Sequence, residues 1–142
     1  MLIEGVVADA NVLLSAVVGK AALRVINDFN VTVHVAQFNA DEVSEYLPLM
    51  ARKYGLQVEL VEMQWKLFPL KIHPLTNYRA RLSRAIEDMK RRDPEDAHAL
   101  ALAWSLDLPI WSNDRDFENI SVECYSTARL LRLLSEQAKS RQ

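Results

Sequence analysis

Short apolar runs rich in β-branched residues alternate along this chain with long segments of helical spacing. Leu2 to Ala8 is apolar and rich in Val and Ile, as befits a strand buried on both faces. Asp9 to Val18 changes to helical character with Asp9 placed as its cap, and Ala21 to Phe29 continues as an amphipathic helix. Val31 to Ala36 (VTVHVA) reads as a second strand. The helix after it runs to about Tyr54, capped by Asn39 or Asp41 and stopped by Gly55. Val58, Val61, Trp65 and Phe68 stand at helical spacing, and Leu70 to His73 is a short apolar piece before Pro74. Thr76 to Arg92 and Pro94 to Leu106 are predicted helices, the second with Pro94 in its first turn and Asp93 as N-cap. Pro109 to Ser112 and Val122 to Tyr125 are short strands, and Ser126 caps a last amphipathic helix. Such alternation implies an α/β fold with a mostly parallel sheet covered on both faces. Sheets of this kind place their sites outside the carboxyl ends of the strands.

The 142 residues suit one domain, 1–142, with no linker or repeat. A chain of this length buries roughly 70% of the surface its unfolded form exposes, so it folds without disulfides or a structural metal. The net charge of −2 supplies no global field for nucleic acid, so such a partner would need local basic patches and metal ions. Cys124 is the only cysteine, which excludes an intrachain disulfide, disfavours a Cys-based zinc site and fits a reducing cytoplasm. The N-terminal run resembles a signal peptide, but Glu4 and Asp9 interrupt it and no basic stretch precedes it. No segment has the uninterrupted apolar length of a membrane span, so a soluble, unexported protein is expected.

The acids fall where the fold places sites. Asp9 directly follows the first strand, in VVADANVL, and Asp114 follows the strand PIWSN. Glu42 lies in the first turn after the second strand, and Asp96 opens the helix DPEDAHALALA. Each has a bland reading: Asp9 as a cap, Glu42 as an ordinary first-turn acid, Asp114 as a turn residue. Asp96 resists one, because the helix it opens is apolar on nearly every side and Asp is rarely buried unpaired. Carboxylates gathered within a few ångströms cannot all stay ionised without a cation. Mg²⁺ and Mn²⁺ suit carboxylate oxygen and phosphodiester chemistry. No Gly-x-Ser-x-Gly, Cys–His pair or Gly-rich phosphate loop offers another chemistry.

In order and context, VVADANVLLSA, the acid after strand two, DPEDAHALALA and PIWSNDRDF resemble the successive acidic motifs of the PIN domain, across Ile3 to about Leu134. The resemblance implies a three-layer α/β/α sandwich around a parallel sheet and an Mg²⁺- or Mn²⁺-dependent endoribonuclease. It further implies either an RNA-processing enzyme or, as in many small members, the toxin of a VapC-type toxin–antitoxin pair, with an antitoxin segment crossing the acidic cleft. Carried over by motif, Asp9, Glu42, Asp96 and Asp114 are the catalytic metal-holding acids. Asn11 and Ser112 orient ligands or water, and Asp116 assists from behind. Glu42 is preferred to Glu45, one turn on, because Val43 and Leu47 then occupy the apolar positions usual after the family's acid.

Other residues invite roles. Arg115, between two acids, is a candidate phosphate contact, and Lys90 to Arg92 is a charge run that would hold RNA or simply face solvent. His98 reads as a packed histidine, and His34 and His73 receive no role. The tryptophans read as core, with Trp111 the one beside the last motif. The leucine-rich ARLLRLL either covers the sheet or joins a dimer, and a homodimer is expected. The competing function is a non-catalytic PIN-fold module that binds RNA or protein. A phosphorylatable receiver domain is disfavoured, since neither its Lys nor its middle-strand Asp has a counterpart.

Overall fold

Every residue of the strand Gly5–Ala8 (β1) is buried, which explains how an uninterrupted apolar run serves as the middle of a sheet. The computed structural model describes residues 2–140. Among them β1 pairs with β2 (Thr32–Ala36) and β4 (Ile110–Trp111), β2 with β3 (Leu70–His73), and β4 with β5 (Cys124–Tyr125). All pairings are parallel and the order is β3-β2-β1-β4-β5. The order therefore reverses at β1 and β4, the position where open α/β sheets leave a crevice at their carboxyl ends.

Among the described residues, seven helices supply the outer layers: α1 (Ala10–Val18), α2 (Lys20–Asn27), α3 (Gln37–Lys53), α4 (Val58–Leu67), α5 (Arg79–Met89), α6 (Ala97–Leu106) and α7 (Thr127–Ser140). Alternation along β1 sorts them. Val6 and Ala8 join the core shared with α1, α2, α3, α4 and α7. Val7 joins the opposite core, built largely from α5 and α6. The result is the expected three-layer α/β/α sandwich. No single helix among the described residues is long and apolar enough to cross a membrane.

Several local expectations are corrected. Neither Asn39 nor Asp41 caps α3, which begins at Gln37 straight from β2 without a side-chain cap. Leu70–His73 is an edge strand, and a hydrogen bond joins His73 Nε2 to His34 Nδ1 on its neighbour (2.9 Å). The segment from Thr76 to Arg92 divides into a 3₁₀ turn at Leu75–Asn77 and then α5. Pro94–Asp96 is likewise a 3₁₀ turn, and it is this turn that Asp93 caps. In α7, Leu130 and Leu134 are buried while Leu131 and Leu133 pack on the same core, so the leucine-rich stretch covers the sheet. An uncovered apolar stripe lies instead on α4, where Leu60, Met63 and Leu67 are 58%, 57% and 75% exposed. His98 is packed as expected, stacked on Phe38 and hydrogen-bonded to the Tyr78 hydroxyl (2.8 Å).

Candidate active site

Asp9 emerges from β1 and caps α1, its Oδ1 accepting from the Val12 N–H at 2.9 Å. Its Oδ2 accepts from the hydroxyl of Ser112, the first residue past β4. The same hydroxyl oxygen accepts from the Asp114 N–H at 3.0 Å, so one serine ties the ends of two adjacent strands together. Asp114 then accepts from the Asp116 N–H (2.9 Å), and this shapes the 3₁₀ turn Arg115–Phe117. Asp9 is only 3% exposed; burial, aided by the charge of Asp114, raises its carboxyl above the ordinary range.

Asp96 approaches from the opposite layer. Carboxylate oxygens of Asp93, Asp96 and Asp116 lie within 4.8 Å of one another, a spacing that could hold a metal ion. Asp96 Oδ2 is buried with no hydrogen-bond partner among the described residues. Burial, followed by the charges of Asp93, Asp9, Asp114 and Asp116, pushes the Asp96 carboxyl up to about 8. An oxygen so placed is unfavourable unless protonated or matched by a cation. The donor set is all oxygen and mostly carboxylate, which fits a hard divalent ion.

Glu42 stands on the cleft wall made by α3. It accepts from Asn39 Nδ2 at 2.8 Å, while the buried Asn39 Oδ1 has no partner among the described residues. Burial, with Glu95 and Asp93 facing it, raises Glu42 to about 7 against the help of Asn39. Glu42 lines the cleft and Glu45 does not. The cleft encloses about 380 Å³. Its lining joins the acids Asp9, Glu42, Asp93, Glu95 and Asp96 to Asn11 and Leu14 of α1 and to further residues of α3.

The structure thus brings Asp9, Asp96, Asp114 and Asp116 into one charged neighbourhood, with Glu42 across the cleft. Asn11 lines the cleft and Ser112 lies beneath it. Arg115 is exposed and does not line the cleft. The charge run is spoken for at both ends. Lys90 pairs with Glu87 (2.7 Å), and Arg92 donates to the carbonyls of Asp116 and Glu118, the latter at 2.6 Å. Arg92 therefore fastens the turn bearing Asp116 to the segment bearing Asp93. Trp111 is fully buried, its indole donating to Thr127 Oγ1 (2.9 Å), and offers no base a surface. Sequence reasoning assigned no site role to Asp93, Glu95, Asn39, Tyr46 or Lys53. Asp93 was detectable from the density of acids in DPED, although its capping of the Glu95 N–H (3.0 Å) is also real.

A parallel sandwich with carboxylates gathered at its switch point defines an α/β protein whose site is suited to a divalent ion. The profile of the PIN domain family matches residues 7–135, and the chain belongs to that family. No curated protein sequence matches it. Solved structures share its fold. The chain is 20% identical to a protein in a toxin–antitoxin complex from Klebsiella pneumoniae (TM-score 0.63, covering 86% of this chain and 97% of that one). It is 19% identical to PAE2754 from Pyrobaculum aerophilum (TM-score 0.67, 94% and 90%). It is 12% identical to a chain of VapBC2 from Rickettsia felis, solved with a DNA fragment from its promoter (TM-score 0.63, 86% and 98%).

Proposed function

We propose that this PIN-domain protein is an Mg²⁺- or Mn²⁺-dependent endoribonuclease that hydrolyses RNA phosphodiester bonds in the cytoplasm, as the toxin of a toxin–antitoxin pair. The observation that carries the reading is the buried, unpartnered oxygen of Asp96 amid four other acids. Asp9, Glu42, Asp96 and Asp114 would hold the ion, with Asp93 and Asp116 beside them. A bound divalent ion polarises a phosphoryl oxygen and lowers the pKa of a coordinated water. Ser112 holds Asp9 in one orientation, Asn39 does so for Glu42, and Asn11, without a side-chain hydrogen bond among the described residues, stands at the cleft wall to orient water or a phosphate oxygen. Arg115 is available to meet the RNA backbone from outside the cleft.

An antitoxin is the partner that the Klebsiella and Rickettsia complexes suggest. The exposed stripe of α4, with Leu23 of α2 and Phe68 beside it, is apolar enough to receive a protein. A homodimer is a further expectation for the same chain.

The test is cleavage of labelled single-stranded RNA with Mg²⁺ or Mn²⁺ by the wild type, Asp9→Asn and Asp96→Asn. Cleavage should be lost in both variants and in EDTA. Activity that survives the substitutions or the chelator would sink the mechanism. A wild type that binds RNA without cutting it would make the chain a binding module.

A further inference from the structure

The acidic cluster occupies only one end of the cleft. Away from the acids the lining is drawn mainly from one face of α3, where Tyr46, Leu49, Met50 and Lys53 follow Glu42 at helical spacing, with Tyr54 beyond them. Tyr46 and Tyr54 are 49% and 55% exposed although they line a concavity. Neither phenol has a hydrogen-bond partner among the described residues. Lys53 is the one basic residue lining the cleft, makes no ion pair among the described residues, and holds its Nζ 5.7 Å from the centre of the Tyr54 ring.

We propose that Tyr46, Lys53 and Tyr54 form a subsite for single-stranded RNA beside the scissile bond, the rings stacking on bases and Lys53 meeting a phosphate. The proposal rests on the nuclease reading and adds the substrate's form and its path along the cleft. Tyrosine faces accept any unstacked base, whereas bases in a duplex have no free face to offer. Charge sets the strand's path: a phosphate is held at the acids only through a bound cation, and at the far end by Lys53. By helical rise, Tyr46 lies about 6 Å and Lys53 about 16 Å along the axis from Glu42. That span accommodates a few nucleotides of single strand.

The experiment is fluorescence anisotropy of a short labelled RNA, single-stranded or duplex, with Ca²⁺ in place of Mg²⁺ to slow cleavage. The wild type should prefer the single strand. Tyr46→Ala and Tyr54→Ala should each weaken binding about 5- to 100-fold, with melting temperatures near wild type because both rings are exposed. Lys53→Gln should reduce the slope of log K against log salt by about 0.7, the share of one phosphate contact. Equal RNA binding by wild type and the tyrosine variants would overturn the subsite. Duplex binding as tight as single-strand binding would overturn it too. Because binding is read directly, these outcomes are distinct from failure of the nuclease reading, which shows as absent cleavage in Mg²⁺ and Mn²⁺.

Discussion

Asp96 and Glu42 make the metal-free protein sensitive to pH in a direction opposite to that of most salt-bridged acids. Their carboxyls ionise near 3.8 and 4.5 in an unperturbed setting, but only near about 8 and about 7 in the fold. Between those limits the folded chain keeps protons that the unfolded chain has released, so stability falls as pH rises. Their contribution is fully present below about pH 4 and is lost as pH climbs through 7 and 8. Thermal melts in EDTA should therefore show the melting temperature dropping between about pH 5 and pH 8.5. Asp96→Asn should flatten that slope and raise the melting temperature at the alkaline end; a slope unchanged by the substitution would mean Asp96 is ordinarily solvated. At this scale the sequence disclosed the acids that directly follow strands, because β-branched runs mark where strands end. Asp93 and Glu95 were hidden by their second use in shaping the Pro94 turn, and Asn39 by the expectation that it would cap a helix from outside.

Most elements were legible from periodicity, and the exceptions share a cause. β3 has only four residues, so the alternation of Leu70, Lys71, Ile72 and His73 is too brief to mark a strand by itself; its place is set by pairing with β2. The first turn of α3 needs no side-chain cap because the chain enters it directly from a strand, which turns Asn39 inward. The stop after α3 was legible for a physical reason. Gly55 adopts φ +65°, and a Cβ there would meet nothing within 4 Å. Gly55→Ala should thus cost about 1 kcal/mol through backbone conformation alone, measurable as a lower urea midpoint. Because Lys53 and Tyr54 directly precede it, a full-sized loss of RNA affinity in this variant would trace to the helix end having moved.

Across the whole molecule, the acids come from both outer layers: Asp9 and Glu42 from the side of α1 and α3, Asp93 and Asp96 from the side of α5 and α6. An ion bound by both would favour the folded chain in proportion to its affinity. At a concentration one hundred times its Kd the gain is about 2.7 kcal/mol, or roughly 8 °C in melting temperature for a chain of this size. Mg²⁺ titrated into metal-free protein should produce that rise, and no shift at millimolar concentration would separate the cluster from metal binding. The arrangement also has a practical side. With an ion acting as a rivet through both faces of the sheet, the apparent ruggedness of a preparation would depend on its history with chelators, and two batches identical in sequence would age differently on the bench.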